Sequence, residues 1–184
     1  MRFRTDSAAW LRRQGIDQWS KPFPPEHILA SIRAGHVFMI KTSESADACA
    51  TVTLDRDADD RLWSAEERAE PALYVHKLSV DRMLSGTGLG ARILDWAGAR
   101  AAEQGADWLR LDAWTTNPSL HRYYLNQGFQ HIRTSTDPSV VSGWTAQRPA
   151  GGGSDHGLVE ILDGPLNAGL NSGRATGMRI PGTR

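Results

Sequence analysis

Residues 85 to 90 read Ser85-Gly86-Thr87-Gly88-Leu89-Gly90, with glycine at alternate positions. Glycine accepts positive φ and lets a ligand come close to the backbone. The run sits between a β-type stretch, Ala72 to Val80, and a helical stretch with Leu89, Ile93, Leu94 and Ala97 on one face. A helix start offers unpaired N–H groups and the positive end of the helix dipole, so this combination suits a pyrophosphate. Arg82 and Arg92 flank the turn and are expected to add positive charge. The plainer alternative is a strand-to-helix turn that tolerates glycine and binds nothing. Gly86-x-Gly88-x-x-Ala91 also fits a dinucleotide fingerprint. However, Asp81 to Ser85 separate it from the strand, and too few strand–helix units follow for a doubly wound sheet. No Gly-Lys-Ser/Thr closes the turn, which argues against a phosphate-binding P-loop.

Further residues could move protons. Tyr124 lies in a helical stretch that begins Asn117-Pro118 and is closed by Gly128-Phe129. A phenol of pKa about 10 stays protonated at neutral pH and can act as a donor. Leu120, Tyr123 and Tyr124 also have the spacing of a packing stripe; Tyr123 is expected to be structural and Tyr124 to face the site. Asn117 is a good helix N-cap before Pro118. His76 titrates near neutrality and is expected on the same strand face as Leu78, two residues on. Asp112, on the following strand, is the second candidate base, and structural roles for both stay open. Cys49 reads as a core residue in a strand; a Cys49–His76–Asp112 nucleophile system is the rival. The other histidines show no metal spacing with carboxylates, and no metal site is expected.

The elements that must position these groups follow from periodicity. Ser7 is expected to cap a first helix ending at Gly15, and Pro25 to open a second ending at Gly35. Strands are expected at His36 to Thr42, Ala48 to Leu54, Ala72 to Val80, Asp107 to Trp114, and in FQHIRT and SGWTAQR. Helices are expected after the glycine turn, ending at Gly105, and from Pro118 to Gln127. The charged stretch Asp55 to Glu70 reads as a surface loop. From Pro149 onward nine of the eighteen glycines occur. Residues 149–184 therefore read as a glycine-rich, flexible tail, with GLVEIL as one short helical turn or strand.

Composition narrows the classes. The 184 residues suit one domain plus a tail, and 40% apolar residues suffice for a core. Lys+Arg and Asp+Glu are both 21, so no basic excess points to nucleic acid or an anionic membrane. One cysteine excludes an intramolecular disulfide. No apolar run approaches the roughly 18 residues of a membrane helix, and the start has no secretory-signal core. A cytoplasmic protein is expected. Seven tryptophans are spread along the chain; Trp10, Trp19 and Trp114 are candidates to line a pocket.

Ser85-x-x-Gly88-x-Gly90 after a strand and opening a helix, followed by Asn117, Tyr124 and Gly128-Phe129, resembles the GNAT superfamily, the Gcn5-related N-acetyltransferases. The likeness covers roughly Trp10 to Arg148. Ser85 stands where the family has Arg or Gln. The family's first strand has no counterpart before Asp6, so the start is expected to be trimmed or to lack that strand. The resemblance implies a single α/β domain over 1–148 with a mixed, mostly antiparallel sheet flanked by helices, followed by the tail at 149–184. It implies transfer of acetyl from acetyl-CoA, without a metal, to a small-molecule or peptide amine by direct attack in a ternary complex. Family members often dimerise. Backbone groups of Gly86, Thr87, Gly88, Leu89 and Gly90 would hold the pyrophosphate. Leu78, Ser79 and Val80 would pair with the pantetheine arm, and Asn117 would bond to it. An N–H near Leu78 or Val80 would polarise the thioester. Tyr124 would protonate the leaving thiolate, with His76 or Asp112 as base. A non-catalytic acyl-CoA-binding or sensory module is the alternative.

Overall fold

The computed structural model describes residues 2–19, 25–43, 45, 47–152, 156–162 and 176–180. Stretches rich in β-branched and aromatic residues form the strands, as such side chains fit a pleated surface. β1 (Val37–Thr42) and β2 (Ala48–Asp55) pair antiparallel, with Val37 opposite Thr53. β3 (Ala72–Val80) runs antiparallel to β2. β4 (Trp108–Ala113) lies parallel to β3, reached through the helix α4 (Leu89–Glu103), because parallel neighbours need a crossover. β5 (Gln130–Thr134) and β6 (Trp144–Pro149) are antiparallel, with β6 next to β4. β7 (Val159–Leu162) and β8 (Thr176–Ile180) complete a sheet of order β5-β6-β4-β3-β2-β1-β8-β7. Among the described residues only β3–β4 and β1–β8 are parallel.

Alternation along the strands creates two cores. Leu73, Val75, Leu109 and Leu111 pack with Ile93 and Leu94 of α4 on one face. Ala72 and Tyr74 join Leu62, Trp63 and Val140 on the other. Arg110 is wholly buried with the second group, its guanidinium 5.0 Å from the Trp63 ring. It donates to the Tyr74 hydroxyl (3.2 Å), Gln147 Oε1 (2.9 Å), the Glu67 carbonyl and the Glu70 carboxylate.

Three expectations are corrected. Ser7 is not a cap: α1 spans Arg2–Arg13, because Phe3 is buried with Ala8 and Leu11 and draws the first residues into the helix. The 55–70 stretch is not simply a surface loop. It buries Leu62 and Trp63 and carries α3 (Ala65–Ala69), whose start is a reciprocal capping box between Ser64 and Glu67. The glycine-rich tail, expected to be flexible, supplies two strands among its described residues, and β8 runs parallel to β1 with Ile40 opposite Met178. Glycines on both sides allow its close approach to α4: a Cβ on Gly98 of the helix would lie 2.2 Å from the Gly151 carbonyl oxygen, and one on Gly152 of the tail would lie 2.7 Å from that of Asp95. α2 (Pro25–Arg33) begins at Pro25 as expected, and α5 spans Pro118–Asn126.

Candidate active site

β3 and β4 pair from Ala72 opposite Trp108 to Val75 opposite Leu111. Beyond that they part. β3 continues to Val80 beside β2, while Asp112 and Ala113 keep only the pairing with β6 that runs the length of β4. Among the described residues no strand covers the β4 side of β3 after Val75, so the slot can accept an extended chain by backbone hydrogen bonds. A bulge accompanies the parting. Ser79 lies opposite Thr51 and His76 opposite Thr53, so Lys77 and Leu78 share one partner position. Lys77 carries the positive φ of 54° that accommodates the extra residue; bulges add local twist, and non-glycine residues at positive φ are held there by their surroundings.

The bulge also resets the faces. Leu78 and Val80 pack towards the α4 core with Leu73 and Val75. His76 stays on the opposite face, its ring stacked 6.3 Å from that of Tyr74. His76 and Leu78 therefore do not share a face. The inserted residue breaks the period of two on which that expectation rested.

The glycine turn lies at the end of β3. A 3-10 turn, Arg82–Leu84, precedes it, and Gly86 and Gly88 take φ of 82° and 79°. Gly88 is the N-cap and offers no side chain; the first bond of the helix runs from the Arg92 N–H to the Gly88 carbonyl (3.1 Å). The N–H groups of Leu89, Gly90 and Ala91 precede that bond and directly follow the exposed residues Ser85 to Gly88. At Gly90 a Cβ would come within 2.6 Å of the Tyr123 hydroxyl, so α5 seats directly on the start of α4. Arg82 stacks over Trp10, 3.9 Å from the ring centroid. Arg92 does not supply free charge to the turn. Its guanidinium donates to the carbonyls of His156 (2.8 Å) and Gly157 (2.6 Å).

Asn117 caps α5, its Oδ1 accepting from the Leu120 N–H at 3.1 Å, while its amide donates to Gln18 Oε1 at 2.8 Å. Both side chains are buried, so the segment after α1 is fastened to the start of α5. Tyr124 is buried among Tyr123, Phe129 and Trp144. Burial first, then Tyr123 and Asp112, pushes its phenol well above the usual range, so it holds its proton. Its hydroxyl has no hydrogen-bond partner among the described residues.

Across the sheet, Asp55, His76 and Asp112 form a row on the face away from α4. His76 Nε2 is 3.2 Å from Asp55 Oδ1, and its Nδ1 is 3.6 Å from Asp112 Oδ1. The Nε2 contact is out of line for a hydrogen bond, so this buried atom is held by charge rather than by an aligned bond. Burial works against the imidazolium, but Asp112 and Asp55 outweigh it and raise His76 to about 9. Burial also pushes the Asp55 carboxyl up, yet His76, the Asp57 N–H and His36 hold it below its ordinary value. Asp55 was absorbed in the expected loop and missed. Its readable signal is the alternation of β2, which continues one residue past Leu54.

Cys49 lies in the α4 core, away from His76, and burial pushes its thiol up; the structure does not unite a Cys49–His76–Asp112 system. Of the three tryptophans proposed for a pocket, Trp10 lies under Arg82, while Trp19 and Trp114 are half-buried. His36, Asp55 and Asp57 bring one donor atom each within 4.8 Å, but the Asp55 carboxylate is answered there by the His36 and His76 imidazoles. No helix among the described residues is long and apolar enough to cross a membrane.

The sequence model of the acetyltransferase (GNAT) family matches residues 5–129. The uncharacterized N-acetyltransferase YesJ of Bacillus subtilis (strain 168) is 34% identical over 129 residues, covering 68% of this chain and 72% of that protein. The crystal structure of a GNAT-family acetyltransferase from Listeria monocytogenes 4b F2365 superposes with a TM-score of 0.64 at 23% identity, over 80% of this chain and 85% of the other. One from Staphylococcus aureus Mu50 does so with a TM-score of 0.54 at 18% identity, over 81% and 89%. These two share the mixed α/β architecture with the chain. With its parted strands, glycine turn and Asn-Pro helix, and with the match over most of its length, this chain belongs to the acetyltransferase (GNAT) family.

Proposed function

We propose that this acetyltransferase takes acetyl-CoA as donor and an amine, on a small molecule or a peptide, as acceptor, with direct attack in a ternary complex. The observation that carries the proposal is the parting of β3 from β4 after Val75, with the glycine turn at one end and His76 beside Asp112 where the pairing has stopped. The pyrophosphate would take the N–H groups of Gly86, Gly88, Leu89 and Gly90, with Ser85 leading in; that of Thr87 already donates to the Leu84 carbonyl (3.3 Å). The pantetheine arm would lie along Leu78, Ser79 and Val80. An N–H at the bulge would face the oxygen on which negative charge develops. Asn117 already caps α5 and binds Gln18, so its contribution is to hold the wall of the slot.

The amine nitrogen attacks the thioester carbon, the C–S bond breaks, the thiolate takes the Tyr124 proton, and the proton shed by the new amide nitrogen restores the phenol. A phenol that stays protonated suits this step. The ammonium form of the acceptor must first lose a proton, to His76 or, through water, to Asp112. His76 at about 9 is a weak acceptor at neutrality but is well matched to an aliphatic ammonium of pKa about 10. Turnover should therefore rise with pH to a limb near 9, not near 6.5. The test is thiol release from acetyl-CoA across a panel of amines, with pH profiles of wild type and His76→Asn. Saturable release that needs an amine supports the proposal. Calorimetric binding of acetyl-CoA without release would mark a non-catalytic acyl-CoA-binding module. No binding at all would overturn both.

A further inference from the structure

Asp55 is held more firmly than any role in His76's charge requires. It is the last residue of β2, in register with Tyr74, and its side chain is 5% exposed. Its Oδ1 accepts the Asp57 N–H at 3.0 Å, and its Oδ2 faces His36 Nδ1 at 4.0 Å. The Tyr74 ring, inclined only 14° to that of His76, limits tilting of the imidazole. The opposite edge differs: Asp112, beside Nδ1, is 23% exposed and lies where β4 has left β3. One ring nitrogen is thus turned to a buried carboxylate and the other to the open gap.

We propose that Asp55 is a positioning residue: it keeps the hydrogen of neutral His76 on Nε2, so that Nδ1, beside Asp112, is the atom that takes the acceptor's proton. The proposal rests on the reaction given above for this site. In that step the ammonium N–H bond breaks, the proton passes to the Nδ1 lone pair, and Nε2 keeps its hydrogen towards Asp55. A partner behind a histidine commonly sets its tautomer in this way. The charged and titratable groups around the ring are Asp55 and Asp57 at the end of β2, His36 before β1, Asp112 on β4, Tyr74 on β3, and Asp59, which is paired with Arg61 at 2.9 Å.

The test is NMR of nitrogen-labelled histidine in the acetyl-CoA-free protein, titrated past pH 9, for wild type, Asp55→Asn and Asp55→Leu. The expected result is the Nε2–H tautomer at His76 in wild type. It should be lost or mixed in Asp55→Leu, with a titration midpoint lower in both variants. In the transfer assay the variants should lose roughly tenfold to 100-fold in kcat, with KM for acetyl-CoA unchanged. A wild-type ring with its hydrogen on Nδ1, or the same tautomer and midpoint in folded Asp55→Asn, overturns the proposal. If Asp55→Leu does not fold, the wild-type tautomer and the Asn variant still decide. Because the NMR arm needs no turnover, a protein that binds acetyl-CoA yet transfers to no amine would sink the proposed reaction while the contact between Asp55 and Nε2 is judged separately.

Discussion

Two charged clusters sit side by side on the same face of the sheet, and they are built on opposite terms. Arg110 on β4 is opposite Tyr74 on β3, where the two strands are still paired. Its guanidinium is wholly buried and bonded to a carboxylate, a carbonyl, an amide and a hydroxyl. Two residues further along each strand come His76 and Asp112, where the pairing has ended. Here two carboxylates flank one imidazole, and its buried Nε2 lacks an aligned bond. A satisfied buried charge has little reason to exchange a proton, whereas an over-supplied and partly exposed one can do so. The end of the β3–β4 ladder therefore divides a fully satisfied cluster from the one to which we assign the proton transfer.

Replacing Arg110 with Ala should have the largest effect on stability. It strips the bonds from partners around a buried site, and about 3–5 kcal/mol of unfolding free energy should be lost in urea titration. Acetyl-CoA affinity per folded molecule should hold; a large affinity loss with intact stability would reverse the roles assigned to the two clusters. Tyr124→Phe should do the opposite, lowering kcat about 100-fold, or about 2.7 kcal/mol in barrier, with little change in melting temperature. Equal turnover would remove Tyr124 from the mechanism.

The pH dependence of stability sharpens the contrast further. His76 is raised from 6.5 to about 9 in the folded state. Its ion pairs therefore contribute fully below pH 6.5, and that contribution fades as pH climbs through 9. Chemical denaturation across this range should show a decline that His76→Asn abolishes and Arg110→Ala retains. The smallest expected change is at the α3 cap behind Arg110: Ser64→Ala should cost about 1 kcal/mol, read from the urea midpoint, without altering turnover.

Local chemistry was legible from the residues alone. β3 has the expected ends, Ala72 and Val80, because β-branched and aromatic residues fill it between Pro71 and Asp81. Pro25 and Pro118 open helices, and Gly35 and Gly128 take positive φ where those helices stop. The glycine turn was legible for the same reason: its signal lies within a few residues along the chain. The Ser64-x-x-Glu67 box was equally local, and was hidden only by the charge around it.

What needed the tertiary structure involves residues far apart in sequence. Arg92 was free to serve the glycine turn until the chain around His156 returned to accept its hydrogen bonds. Asp55 gained a role only when β2 carried it beside His76, and the bulge at Lys77 turned Leu78 and Val80 to the face opposite that histidine. The tail looked mobile by composition, yet Met178 is fully buried once β8 lies along β1. Propensity and turn chemistry act between neighbours, so a linear sequence displays them; ladder register and burial depend on which distant segment arrives, and a single inserted residue reverses every face that follows it.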